Sequence, residues 1–334
     1  NKPGSQHRWK SYSFDFDAEG NRTASHLSAL YNSNDHNQLL DDADYTYTYD
    51  AKGNRTTRTA KADASVETYS YDSQNRLVGD TDGAGIASTY AYDAKGNRTA
   101  KTVDGVTTAY VYDPWSVWRS TSNDILMEFG NDGGSSMELA RRWVYGAKVD
   151  EPLGFEDYTS TTVAGTGTFY EVYADRQGSV TDVIDPATGT VAAHYSYDSF
   201  GNRITTGTLI QPYGFTSREV DEESGLMYYR ARHYDPILGQ FIQRDPIGFN
   251  AGDLNLYAYV WNELRAEFEE AGFVTGVTMG QELINARKVE INITDNDKIT
   301  VYADGDIGIF VNDKMFCRHL SENLEWKLVQ KNLL

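Results

Sequence analysis

One cysteine, Cys317, among 334 residues leaves no partner for an intrachain disulfide. A disulfide framework is excluded, and hydrogen-bonded backbone and packed side chains must hold the fold. Prolines number only 7, so few positions forbid a strand. No run of about 18 apolar residues exists, which excludes a membrane-spanning helix of ordinary length. The opening Asn1-Lys2-Pro3-Gly4-Ser5 does not read as a signal peptide and lacks an initiating Met, so the chain is expected to be a piece of something longer. Basic residues are also scarce: 30 Lys and Arg stand against 49 Asp and Glu, a net charge of -19. That balance argues against a surface that coats nucleic acid over the whole molecule, while leaving room for a small local site.

What the chain has in excess is tyrosine, 24 of them, with 29 glycines. The tyrosines fall into a repeated phrase: Tyr, any residue, Tyr, Asp, a short polar stretch, then Gly-Asn-Arg. It occurs as Tyr47-Thr48-Tyr49-Asp50 leading into Gly53-Asn54-Arg55, as Tyr90 to Arg98, and as Tyr195 to Arg203. Degenerate copies occupy Phe14 to Arg22 and Tyr69 to Arg76, and only the first half survives at Tyr110 to Asp113. Asp50, Asp72, Asp93 and Asp113 lie roughly 20 residues apart, a period that signals a stacked architecture. Alternation places Tyr47 and Tyr49 on one face of a strand, and the Asp with Gly-Asn supplies turn chemistry, so each unit is expected to be a β-hairpin. A lone hairpin is marginal in water, so the units are expected to pair edge to edge into a long sheet. The Arg after the turn is expected to pair with its own Asp or a neighbouring copy's, a structural role. The composition suits a large exported β protein.

A second landmark sharpens the reading. The stretch Gly225-Leu226-Met227-Tyr228-Tyr229-Arg230-Ala231-Arg232-His233-Tyr234-Asp235-Pro236 runs through Gly239-Gln240-Phe241 and Arg244-Asp245-Pro246-Ile247-Gly248-Phe249 to Leu256-Tyr257-Ala258-Tyr259. This block, with Tyr173-Ala174-Asp175-Arg176-Gln177-Gly178, resembles the terminal signature of the bacterial Rhs/YD-repeat family, relatives of the C components of Tc toxins and of the teneurin shell. The likeness covers about residues 10 to 262. It implies a mainly β fold in which YD-repeat hairpins form a spiralling sheet, a shell or cocoon that encloses a variable C-terminal toxin. Closure and spiralling remove sheet edges, and a tyrosine ring can pack while its hydroxyl stays hydrated. With about seven copies or near copies visible, one end of the shell plus its plug is expected, over residues 1-262, with the core signature at 225-259.

The resemblance also implies autoproteolysis by an aspartate pair, the first of which maps onto Asp245. Such a pair works because neighbouring carboxylates push their pKa values apart, leaving one to activate water and one to polarise the carbonyl. The family's second aspartate, in Asp-Pro-x-Gly-Leu, is missing here. After Asn262 the chain reads Glu263-Leu264-Arg265-Ala266-Glu267, and Glu267 lacks the flanking Pro and Gly. Three explanations stay open: residues between Asn262 and Glu263 are absent, the chain joins two products of a cut, or this variant does not self-cleave. The alternative for Asp245 is a turn residue at a strand end.

From Glu263 the phrase vanishes. Leu264, Phe268 and Ala271 are spaced for one helical face, and Met279 to Arg287 also reads as helix. Strands follow at Val289 to Ile293, Ile299 to Tyr302 and Ile307 to Val311, with a last helix from Ser321. Residues 263-334 are therefore expected to be a small α+β domain, placed where the family carries its toxin. The residues do not assign its activity. There is no His-x-Glu with Cys-x-x-Cys, no histidine pair at metal spacing and no Gly-rich phosphate loop, so no cofactor is expected. Cys317 and His319, two apart on a strand, would face one side and suit a thiol nucleophile or general base. Against that stands a buried thiol beside a surface histidine. Asp295, Asp297, Asp304 and Asp306 would suit a cation or simply build hairpin turns. Trp115 and Trp118 read as plug, cargo grip or ordinary core, His233 as a packing residue, and 120–136 and 160–168 as loops.

Two function classes remain. In one, the chain is the end of an Rhs polymorphic toxin, secreted or delivered from the cell surface to act inside a rival or host cell. Its partners would be a cognate immunity protein and a delivery apparatus gripping sequence upstream of Asn1. In the other, it is a structural or adhesive surface protein whose tail is a cap or binding domain.

Overall fold

The computed structural model describes residues 14–113, 124–131, 136–147, 150–158, 166–251 and 253–259, and the strands within 288–318. It divides into two compact units, Asn1–Tyr259 and Val260–Leu334.

In the first unit, β1 (Asp15–Phe16) and β2 (Arg22–Ala24) form a two-stranded ladder. A single antiparallel sheet of 16 strands follows, each hydrogen-bonded to its neighbour in sequence. Its first half is β3 (Tyr31–Ser33), β4 (Leu39–Asp42), β5 (Tyr45–Tyr49), β6 (Arg55–Ala60), β7 (Val66–Tyr71), β8 (Leu77–Thr81), β9 (Ala87–Tyr92) and β10 (Arg98–Val103). The second half is β11 (Val106–Tyr112), β12 (Ile125–Gly130), β13 (Glu138–Tyr145), β14 (Pro152–Asp157), β15 (Thr168–Ala174), β16 (Val180–Asp185), β17 (Thr190–Tyr197) and β18 (Arg203–Gly207). The hairpin repeat and its edge-to-edge pairing are thus as the phrase predicts. A correction falls on 120–136: β12 runs through it, and its Ile125 is buried beneath Trp143 and Phe155 in the largest core cluster. Trp115 and Trp118 lie outside the described residues.

The phrase is a complete device for one repeat. Asp50 turns the chain: its Oδ1 accepts from the N–H groups of Lys52 (2.9 Å) and Asn54 (2.8 Å), and its Oδ2 from Asn54 Nδ2 (2.9 Å). Asp93 and Asp198 hold their Gly-Asn turns the same way. This satisfies the turn's backbone donors locally, the usual use of Asp in a turn. The second tyrosine then staples the hairpin to the one before. Tyr71 Oη donates to Arg55 O (2.8 Å), Tyr92 Oη to Leu77 O (2.7 Å), Tyr112 Oη to Arg98 O (2.9 Å) and Tyr197 Oη to Val180 O (2.7 Å). These hydroxyls are spent on backbone rather than hydrated, which corrects the expectation and explains why phenylalanine would not serve. The first tyrosine, on the same face, stands opposite a charged residue in the ladder: Arg58 for Tyr47, Asp80 for Tyr69, Lys101 for Tyr90 and Glu128 for Tyr110.

Residues 213–259 cover that face. They include a 3-10 turn at Phe215–Ser217, the small sheet β19 (Glu219–Asp221), β20 (Leu226–Tyr228), β21 (His233–Asp235) and β22 (Gln240–Phe241), and a 3-10 turn at Gly248–Ala251. Leu226 and Ile242 pack with Tyr69, Leu77 and Tyr90, and Leu238 packs with Tyr31, Leu39 and Tyr47. Gly53 shows why the phrase needs its glycine: φ is +89°, and an added Cβ would lie 2.4 Å from Arg244 Cδ and 2.6 Å from Tyr257 Oη. Tyr257 Oη donates to Gly53 O at 2.7 Å, so the covering segment plugs into the turn itself.

The described part of the second unit is a four-stranded antiparallel sheet: β23 (Lys288–Thr294), β24 (Asp297–Asp304), β25 (Asp306–Val311) and β26 (Lys314–Arg318). The first three match the expected strands. The fourth adds to them, and its Met-Phe-Cys core lacks the turn signals that would mark it beforehand. The helices expected at 264–271, at 279–287 and from Ser321 lie outside the described residues.

Candidate functional site

The fifth position after each turn aspartate points at the covering segment, and what fills it follows what waits there. Leu77 and Val180 fill it against apolar neighbours, both with 0% exposure. Arg55 and Arg98 fill it against carboxylates, and both are 1% exposed. Arg98 Nη1 donates to Asp221 at 2.7 and 2.9 Å, and its Nη2 to Glu219 at 2.8 Å. Lys101 Nζ reaches Asp221 (3.0 Å) and Glu223 (3.2 Å). Arg55 Nη1 donates to Asp235 Oδ2 at 2.7 Å, with Arg58 Nη1 at 3.5 Å from the same oxygen and Arg58 forked onto Glu67. The Nε atoms of Arg55 and Arg98 have no hydrogen-bond partner. Aromatic faces stand in: the Arg98 guanidinium lies 4.4 Å from the Tyr228 ring centre, and that of Arg55 4.9 Å from Tyr69.

The expectation that the arginine pairs with a repeat aspartate is therefore corrected at Arg55 and Arg98, because Asn54 and Asn97 already occupy Asp50 and Asp93. It holds at Arg76, which sits one place earlier, in the asparagine's slot, and bonds Asp72 at 2.7 Å.

Electrostatics follow burial. Desolvation alone would raise Asp221 and Asp235, yet Arg98 with Lys101, and Arg55 with Arg58, hold both carboxyls below the usual range. Burial pushes Asp80 up to about 7, with Asp221 and Glu223 adding to the rise against a 2.6 Å hydrogen bond from Tyr90 Oη. His233, packed against Tyr90 and Tyr228, is lowered to about 3 by burial despite Asp221, and stays a neutral packing residue at ordinary pH.

Asp245 begins the turn before Gly248–Ala251. Its Oδ1 accepts from Ile247 N (2.8 Å) and its carbonyl from Gly248 N (3.0 Å), while Oδ2 pairs with Arg232 at 2.9 Å. Arg232 in turn lies 3.6 Å over the Phe241 ring. Cys317 belongs to β26, with Ile309 as its register partner, and His319 lies outside the described residues. Among the described residues no group of three or more His, Cys, Asp or Glu is placed to hold a metal ion. A small cavity bordered by Tyr112, Tyr145, Tyr213, Glu219, Arg218 and Arg230 has room of about 20 Å³, enough for a water and not for an organic substrate.

The residues that matter most here, Glu219, Asp221 and Asp235 with Arg55 and Arg98, carry no motif pointing to one another. The available signal was indirect: a buried-side arginine recurring after the turn demands an acid, and the terminal block supplies several.

Comparisons with known proteins agree with the repeat. The family model described as RHS Repeat matches residues 71–107. The protein YlbH of Escherichia coli (strain K12) is 43% identical over 79 residues, 23% of this chain and 33% of that protein. Double-stranded DNA deaminase toxin A of Burkholderia cenocepacia (strain H111) is 37% identical over 99 residues, covering 28% of this chain and 7% of the toxin. The tRNA3(Ser)-specific nuclease WapA of Bacillus spizizenii is 30% identical over 164 residues, covering 47% and 6% respectively. The chain thus spans a third or less of these three relatives. Among solved structures, the crystal structure of TcdB2-TccC3-Cdc42 aligns with 74% of this chain and 16% of its own, at 15% identity and a TM-score of 0.46.

Proposed function

Because the chain belongs to the Rhs/YD-repeat family, we propose that it is the C-terminal part of a polymorphic toxin, in which residues 1–262 form the end of an encapsulating shell and residues 263–334 are the toxin it carries. The observation that carries this reading is where the repeat chemistry stops. Residues 213–259 are consumed in covering the tyrosine face, and the chain then continues as a second compact unit, Val260–Leu334, without the Tyr-x-Tyr-Asp phrase. Two relatives named for different chemistry, a DNA deaminase and a tRNA nuclease, resemble this one chain, as expected of a common carrier with exchangeable cargo. The tail's own reaction is not inherited from either. Cys317 with His319 is the pair to test first within it. The partners in this reading are an immunity protein that neutralises the tail and a delivery apparatus, with the target-cell interior as destination.

The decisive experiment is tightly regulated expression in a bacterial host of the full chain, of a chain ended after Asn262, and of residues 263–334. The tail is expected to lower viable counts, the shell part to be harmless, and the full chain to fall between. Harmless behaviour of all three would favour the structural surface protein. Self-cleavage is tested on the same full chain by intact mass beside Asp245→Ala. Two fragments that become one in the variant make Asp245 the first aspartate of the cut; one species in both leaves it as the turn and Arg232-pairing residue described above.

A further inference from the structure

The contact between the sheet and residues 219–223 buries more acid than base. Glu219 and Asp221 on β19 and Glu223 just beyond it bond Arg98 and Lys101 on β10, and Asp80 on β8, held by Tyr90 beside Glu223, adds a fourth carboxylate with no cation of its own. The other titratable neighbours do not make up the deficit: Arg218 and Arg230, at the cavity beside Glu219, both pair with Asp150, Asp124 lines the same cavity, and Arg203 pairs with Glu222. Tyr90 bridges Asp80 at 2.6 Å and Glu223 at 3.5 Å. His233 Nε2 stands 4.0 Å from Asp221 and is neutral at ordinary pH. Tyr110 and Tyr228 present rings to Arg98, Glu128 on β12 adds acid but is committed to Trp143 and Arg141, and Tyr69, the register partner of Asp80, donates to Glu67. The neighbouring Arg55, Arg58, Asp235 and Glu67 are balanced among themselves.

We propose that this acid-rich contact is a pH-dependent latch, which grips the 219–228 segment on the sheet at acidic pH and loosens it as pH rises to neutrality. A latch follows because surplus buried carboxylates repel each other and lack water unless protonated. Asp80, Glu219 and Glu223 are each pushed above the ordinary carboxyl range, first by burial. A carboxyl raised in the closed form and ordinary in the open form binds its proton more tightly when closed. Its contribution to closure is therefore full below the ordinary value and is lost as pH climbs through the raised one. For Asp80 alone, with a closed value of about 7 against 3.8, the opening equilibrium rises by about 50-fold between pH 5 and pH 7. Asp221 works against the trend only below the ordinary carboxyl value, as pH falls toward its own lowered one, which is outside this window. The inference does not depend on what the tail does.

Hydrogen exchange of the full chain at pH 5, 6, 7 and 8, corrected for intrinsic rates, tests it. Protection of the amides of Val220 and Met227 is expected to fall by tens of fold from pH 5 to pH 7, while amides of β15 and β16 hold steady as the internal control. Asp80→Asn, which still accepts from Tyr90 Oη but cannot titrate, is expected to flatten most of that dependence. If Asp80→Asn does not fold, Glu223→Gln serves in its place with a partial flattening. Protection that is flat or that rises with pH in the natural chain, or the same pH dependence in the folded variant, overturns the latch.

Discussion

Removing the acid that faces Arg55 is the sharpest challenge to the account of the sheet and its cover. In Asp235→Ala the Arg55 guanidinium keeps its place on the tyrosine face but loses its nearest counter-charge, since the Arg55 and Asp235 side chains are both 1% exposed. Stripping one partner from a buried ion pair costs about 3–5 kcal/mol. For a unit of this size each kcal/mol moves the melting temperature by about 2–4 °C, so a fall of roughly 6–20 °C is expected. The control is Arg142→Ala, whose pair with Glu156 is half in solvent at 45% exposure of the arginine, and which should cost about 1 kcal/mol or less. The double variant Arg55→Leu with Asp235→Asn should recover most of the loss, because Leu77 already fills the equivalent slot one repeat later and is fully buried. The assay is thermal unfolding of the full chain followed by near-ultraviolet circular dichroism. A melting temperature for Asp235→Ala within about 2 °C of the natural protein, or one no lower than that of Arg142→Ala, would refute the claim that this pair fastens the segment.

Other consequences can be measured alongside. Gly53→Ala meets both its left-handed φ and the side chains of Arg244 and Tyr257, whereas Gly96→Ala, at φ +91° with nothing within 4 Å, meets only the backbone cost of about 1–2 kcal/mol. Gly53→Ala should therefore be clearly the more destabilising in urea titration, and equal effects would mean that the segment does not seat on the turn. Tyr92→Phe should cost about 1–3 kcal/mol by orphaning the carbonyl of Leu77, while Tyr173→Phe, at an exposed residue whose hydroxyl meets Glu171, should be near neutral. Because Asp235 titrates below the ordinary range when folded, its contribution is present above the unfolded value and lost as pH falls through the folded one. Acid unfolding of Asp235→Asn should accordingly be less steep than that of the natural chain below about pH 4.

Much of the first unit was legible in the sequence because its rules are local. Alternating tyrosines, an aspartate two to four residues from the amides it caps, and a glycine where φ must be positive act within one hairpin, and a fixed period stacks the hairpins in order. The strand β12 is not legible in the sequence because Gly130, Asn131 and the polar residues around it have loop character, and only burial of Ile125 against Trp143 and Phe155 overrides it. The Arg-to-Asp pairing holds at Arg76 and not at Arg55 or Arg98 for a reason visible only in three dimensions: Asn54 and Asn97 reach the turn aspartates first, and those arginines are released to partners elsewhere.

By itself, then, the sequence determined the repeat, its turns, the tyrosine face and the family to which they belong, since each rests on contacts between residues close along the chain. Tertiary structure alone decided where Arg55 and Arg98 go, 180 and 123 residues away to Asp235 and Asp221, and that Asp80 meets Glu223 in a crowd of unshared charge. Neither hydrophobic period nor turn chemistry reaches so far; those meetings exist only once the covering segment has folded back onto the sheet and water has left the gap between them.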